Sequence, residues 1–98
     1  MTLLVSFRQA ARSEFMEAAA WYESKRPLLG VEFIAEVERC VALAAERPKL
    51  YPVVYRDLRR VSTKRFPYGI YFDVMAQRIV VVAVFHSSRD PLIWQGRV

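Results

Sequence analysis

At 98 residues, 54% of them hydrophobic, the chain suits one domain with a single core, and 1–98 is expected to be that domain. No apolar run approaches the 18 or more residues of a membrane span, and Met1 to Phe7 lacks the charged and then apolar pattern of a secretory signal, so the expected compartment is the cytoplasm. The formal net charge of +5 points to an acidic or nucleic-acid partner, and the single cysteine, Cys40, excludes an internal disulfide.

Thr2 to Phe7 is a short apolar run that predicts a first strand. From Arg8 the period changes. Ala11, Phe15, Ala18 and Tyr22 form one stripe of an amphipathic helix, which starts without a good cap at Arg8 and Gln9 and ends before Pro27. Trp21 and Tyr22 are expected to supply much of its buried area. Leu28, Leu29 and Gly30 form a connector so short that the next helix must turn back as a hairpin. That second helix is expected from about Val31 to Arg47. Its inward stripe is Ile34, Val37, Val41 and Ala44, flanked by Phe33 and Cys40, with Glu32, Glu36 and Arg39 in solvent, and Pro48 stops it.

Lys49 to Asp57 reads as an irregular crossing to the sheet. Three strands follow, Leu58 to Phe66, Gly69 to Met75 and Arg78 to His86, the last two joined as a hairpin through Ala76-Gln77. Ile79 to Phe85 is apolar on both faces and suits a central strand. Asp90-Pro91 supplies an N-cap and a first helical proline for a short helical turn through Trp94. The order strand, helix, helix and three strands predicts an α+β domain, with a four-stranded antiparallel sheet packed on an N-terminal helical hairpin.

Charge is unevenly placed along the chain. Residues 1–50 balance, while residues 51–98 hold eight Lys or Arg against three Asp, which is the whole excess. In an extended Leu58 to Phe66, Arg60, Ser62 and Lys64 share one face and Arg59, Val61, Thr63 and Arg65 the other. A buried unpaired charge is too costly, so this strand is a candidate binding surface. Arg60, Lys64, Arg65 and Arg89, with Tyr68, Tyr71 and Trp94 near in sequence, suit phosphate contacts and base stacking. An edge strand kept from aggregating by its charge is the alternative. The only histidine, His86, stands beside Ser87, Ser88 and Arg89 and reads either as structural or as a general acid or base. A triad of Ser87, His86 and Asp90 is disfavoured because strand neighbours point to opposite faces. No metal site is expected, since no second His and no Cys or carboxylate cluster stands at ligand spacing, and no Gly-rich phosphate loop is present.

Five motifs in order carry a family likeness: Ala18-Ala19-Ala20-Trp21-Tyr22-Glu23, Pro27-x-x-Gly30, Tyr51-Pro52, Lys64-Arg65-Phe66-Pro67-Tyr68, and His86-x-x-Arg89-Asp90-Pro91 with Trp94. Together they cover nearly the whole chain, which resembles the ParE branch of the RelE/ParE toxins. The resemblance implies a βααβββ fold and a bacterial type II toxin, of the kind once called plasmid stabilisation proteins. It also implies a small acidic antitoxin whose C-terminal segment wraps the toxin. ParE-like members act on DNA gyrase, whereas RelE-like members are ribosome-dependent mRNA endoribonucleases.

Departures from the RelE-like pattern favour the first activity. Gly69 stands where those enzymes carry a catalytic Arg, Arg60 and Ser62 stand where they carry two lysines, and Trp94 lies near where they use a Tyr. An indole cannot exchange a proton as a phenol can. Losing such an Arg costs about 2.7–4 kcal/mol of transition-state stabilisation where comparable donors are removed. The expectation is therefore a non-enzymatic, gyrase-directed protein binder without cofactor or small-molecule substrate, using Arg60, Lys64, Arg65, Tyr68, Arg89 and Trp94. A ribonuclease would instead use Arg60, Lys64, Arg65, His86 and Arg89. ParE-like chains also often carry Arg at the Gly69 position, which leaves a third outcome, a module that binds antitoxin and poisons nothing.

Overall fold

The computed structural model describes residues 2–98. A first strand, β1 (Leu4–Phe7), leads into helices α1 (Gln9–Lys25) and α2 (Leu29–Glu46). Helix α1 buries Ala11, Phe15, Ala18 and Ala19, and no side chain caps it at Arg8. Helix α2 begins two residues before the expected start, because a neighbour's carboxylate does the capping. Leu28 takes a left-handed φ of 71°, and Glu23 of α1 accepts the N–H groups of Leu28 at 2.9 Å and Gly30 at 3.0 Å. Those are orphan donors at the positive end of α2, where an anion is stabilising. Gly30 is required by the crossing itself, since a Cβ there would meet the Ala19 carbonyl oxygen at 2.5 Å.

After a 3₁₀ turn at Pro48–Leu50 come β2 (Val53–Tyr55), β3 (Leu58–Ser62), β4 (Tyr68–Met75) and β5 (Arg78–His86), then a short α3 (Leu92–Gln95). The sheet has five strands in the order β1-β5-β4-β3-β2 and is mixed, which corrects the expected four-stranded antiparallel arrangement. The extra strand is Val53–Tyr55, which lies in the stretch read as irregular and pairs with β3 across the Arg56-Asp57 turn, where Arg56 takes a φ of 52°. The mixed character comes from β1, which lies parallel to β5 with Leu4 beside Arg78 and Phe7 beside Val81.

Strand β3 stops at Ser62 and does not reach Phe66. There the Thr63 hydroxyl donates to the Phe66 carbonyl at 2.7 Å and the Thr63 N–H to that of Tyr68 at 3.1 Å, while Arg65 takes a left-handed φ of 72°. These contacts fold residues 63–67 into a turn. The β4–β5 hairpin forms through Ala76-Gln77 as expected.

A register shift between Tyr71 and Phe72 pairs them with Ala83 and Val81, leaving Val82 as a bulge. Val81 and Val84 consequently pack with the helices while Val82, Ala83 and Phe85 belong to the other face. The helix-side core centres on Phe33, Val37, Ile70, Phe72, Ile79 and Val81, each with no exposed surface. The front face is closed over a smaller area by α3, whose Trp94 stacks on Tyr71 with centroids 4.1 Å apart and planes at 24°. Asp90 accepts the Leu92 N–H at 3.0 Å, but α3 begins at Leu92 with Pro91 at its N-cap, one residue later than the expected cap at Asp90.

Trp21, expected in the core, is 57% exposed. Beyond the end of β1, Glu14 and Arg97 finish the edge of β5. Glu14 accepts the Val84 N–H and takes a two-pronged fork from Arg97, which also donates to the Val82 carbonyl. Among the described residues, no helix is long and apolar enough to cross a membrane.

Candidate functional site

Arg60 lies on the front face of β3, directly opposite Tyr71 of β4. Its aliphatic stem passes over Gly69, where a Cβ would meet Arg60 Cδ and Tyr71 Cε1, each at 3.1 Å. Among the described residues no carboxylate stands within ion-pairing distance of its guanidinium. Arg89, just past β5, lies over the Phe85 ring at 4.3 Å and reaches Glu14 only at 3.7 Å. The two arginines line one groove of about 290 Å³, with Tyr71, Phe85, Trp94 and Ser87 among its other walls. No carboxylate lines it. An aromatic base under two cations, with no carboxylate in its lining and only Glu14 at 3.7 Å from Arg89 outside it, is a surface that attracts acidic groups.

Lys64 and Arg65 are placed differently, because the turn after Ser62 ends the alternation that put Lys64 beside Arg60. The Lys64 backbone N–H donates to Glu36 of α2 at 2.5 Å, and Arg39 forks onto the same carboxylate with both bonds at 2.8 Å. Arg39, and after it the Lys64 N–H, hold the Glu36 carboxyl down at about 2 against the opposing effect of burial. Arg65 turns toward the helices and pairs with Glu32 at 2.8 Å. Arg65 first, and then Arg26, lower the Glu32 carboxyl as well. The acidic side of α2, read as solvent-facing, thus fixes the turn that presents the Lys64 side chain. Cys40, behind this turn, is fully buried, and burial above all pushes its thiol up to about 11, so it stays protonated.

Tyr68 faces the helical side, edge-on to Phe33 and to His86 at 5.0 and 5.2 Å. Burial raises its phenol above the ordinary range, which keeps it a neutral donor. His86 Nδ1 accepts the Ser88 N–H at 3.0 Å and lies 2.8 Å from the Ser88 hydroxyl, so the ring hydrogen resides on Nε2. Asp90 is engaged with Leu92 and Ser88 is the serine at the ring, so no Ser-His-Asp relay forms.

Trp94 is buried and acts as a wall of the groove. Tyr71 and Phe85, its base, were not singled out as a pair from the sequence. Their signal lay in strand register, Tyr71 opposite Arg60 and Phe85 opposite Gly69.

Comparison with known proteins gives a family and a fold. The family described as "ParE toxin of type II toxin-antitoxin system, parDE" matches residues 5–91. Among solved structures, the chromosomal ParDE toxin-antitoxin system from P. aeruginosa superposes with a TM-score of 0.76 at 12% identity, covering 87% of this chain and 96% of that one. The free-state structure of a mutant of the E. coli toxin RelE superposes with a TM-score of 0.64, also at 12% identity, covering 90% of this chain and 86% of that one. At such identities the likeness is one of fold. No protein of curated function matches the chain in sequence.

Proposed function

The chain belongs to the family of ParE toxins of type II toxin-antitoxin systems, and from that premise we propose that it acts by gripping a protein, with DNA gyrase as the target, and is silenced by a cognate acidic antitoxin. The observation that carries this reading is the Arg60–Arg89 groove, with two cations over an aromatic base and no carboxylate in the lining. Arg60 and Arg89 are assigned to direct target contact and Lys64 to contact from the neighbouring turn. Trp94 and Tyr68 shape the walls on either side, and Arg65 contributes at the margin, where Glu32 holds it.

RNA cleavage is the weaker reading. The Gly69 position, where the RelE-like pattern has a catalytic Arg, is covered by Arg60 and the Tyr71 ring, so an Arg there would have to displace one of them. Trp94 offers an indole in place of a phenol, and among the described residues no carboxylate pairs with His86. A role in plasmid stabilisation in a bacterial cytoplasm is assigned with it on the family likeness.

The test is to express the chain without its antitoxin, assay supercoiling by gyrase and map mRNA 5′ ends. Blocked supercoiling with intact message supports the proposal. Cuts at the ribosomal A site support the ribonuclease, and normal growth with neither effect supports a module that binds antitoxin only.

A further inference from the structure

Arg89 shares the Phe85 ring with a second guanidinium. Arg97, beyond α3, lies 6.0 Å from the centre of that ring against 4.3 Å for Arg89, and both arginines approach one carboxylate, that of Glu14 on α1. They hold it unequally. Glu14 Oε1 accepts the Val84 N–H at 3.1 Å and Arg97 Nη1 at 3.0 Å, and Oε2 accepts Arg97 Nη2 at 2.8 Å. Arg89 stands off Oε2 at 3.7 Å, an ion pair too long for a hydrogen bond.

We infer that Arg97 is a positioning residue for the Arg60–Arg89 groove: by filling the Glu14 carboxylate it keeps Arg89 from closing onto that acid, and so leaves the Arg89 guanidinium to the target. The inference rests on the proposed function only in calling Arg89 a target contact.

A carboxylate offers about four acceptor sites, two on each oxygen. Val84 and Arg97 take both on Oε1, and Arg97 takes one on Oε2. Arg97 is itself pinned, because its Nη1 also donates at 3.1 Å to the carbonyl of Val82, the bulged residue of β5. Its side chain is 21% exposed and that of Arg89 49%, so Arg97 is the fixed arm and Arg89 the one with room to move. Without Arg97, Oε2 would have no hydrogen bond in a side chain only 12% exposed, a costly state that the nearest cation relieves. That cation is Arg89. Moving in from 3.7 Å to the 2.8 Å that Arg97 now keeps, it would exchange a loose ion pair for a charge-assisted hydrogen bond and draw its charge away from the groove. Glu17 lines the same hollow as Glu14 and Arg89, but among the described residues it stands within ion-pairing distance of no cation.

The Glu14–Arg97 bridge also ties the C-terminal turn to α1, and the test separates that structural role from the positioning one. Arg97→Gln and Glu14→Gln break the same bridge, so as structural lesions they act in the same direction. On the placement of Arg89 they act in opposite directions. The readout is the rate at which phenylglyoxal labels Arg89 in the full chain, followed by mass spectrometry of the peptide that carries it. This reagent adds to the neutral guanidine, so a hydrogen-bonded carboxylate slows it. Arg97→Gln should slow labelling about fivefold or more, Glu14→Gln should speed it, and the double variant should label at least as fast as the parent. Arg97→Lys, which keeps the charge but not the fork, should fall between the parent and Arg97→Gln. Unchanged or faster labelling in Arg97→Gln, slower labelling in Glu14→Gln, or a double variant as slow as Arg97→Gln would each overturn the assignment. The labelling needs no target, so this inference and the gyrase reading can fail separately.

Discussion

Behind the sheet, Phe33 sits fully buried with Phe15, Tyr22, Phe66 and Tyr68 around it, under two helices of 17 and 18 residues. In front, Leu58, Tyr71, Val82 and Phe85 are closed by a helix of four residues and one indole. The difference teaches a division of labour. A deep apolar layer on one side holds the strands in register, so the other side can remain thin and carry a cation, Arg60, without an acidic partner, which a thick core could not accommodate.

Four substitutions would break or sharpen that contrast. Phe33→Ala, at the centre of the rear layer, should cost about 3–5 kcal/mol, a large part of the ~5–15 kcal/mol that stabilises a typical domain, read as a lower urea midpoint. Trp94→Ala should cost about 2–3 kcal/mol, less than a fully enclosed Trp, because the exposed α3 can settle over the gap. Hydrogen exchange should then quicken in β2, Tyr71 and residues 90–98 only. Faster exchange throughout α1 and α2 would show that the two faces do not unfold separately.

The third change tests the tie between the rear helices and the basic turn. Glu36 titrates at about 2 when folded against an ordinary 4.5, so the folded state binds fewer protons. Its contribution is complete above about pH 5 and disappears as the pH falls through about 2. Glu36→Gln should remove about 1–2 kcal/mol at pH 7 and flatten urea midpoints between pH 5 and 2, the figure being kept low because water screens part of the pair. Smallest in stability is Arg60→Gln, expected within about 0.5 kcal/mol of the parent. Its effect should fall on the front face alone, as a roughly tenfold or greater loss in inhibition of the proposed target.

The rear layer was the legible half. Stripes at helical spacing, punctuated by Pro27 and Pro48, marked both helices, and the apolar Ile79 to Phe85 marked an inner strand. Strand β2 was not legible, because three residues fenced by Pro52 and Arg56 give too little alternation to count. Nor do the residues of β1 encode which way its partner runs.

The tryptophans show the same limit. Trp21 is one position off the Phe15–Ala18–Tyr22 stripe, about 100° around the helix, and so faces outward. Trp94 belongs to an element too short to have a period, and its burial depends on Tyr71, a partner distant in sequence. In the site, the cations were visible as charges. Their sorting was not, since one hydroxyl at Thr63 and a left-handed Arg65 turn the chain out of the strand before Lys64.

The parallel pairing of Leu4 with Arg78 spans roughly 70 residues. At about 5–20 residues per second, a ribosome takes roughly 4–14 s to deliver the second after the first. Through that interval the helical hairpin can already assemble, while the β5 side of the cationic groove does not yet exist. Newborn copies therefore present the hairpin before the cationic groove is complete, which gives a partner that recognises the hairpin the first encounter.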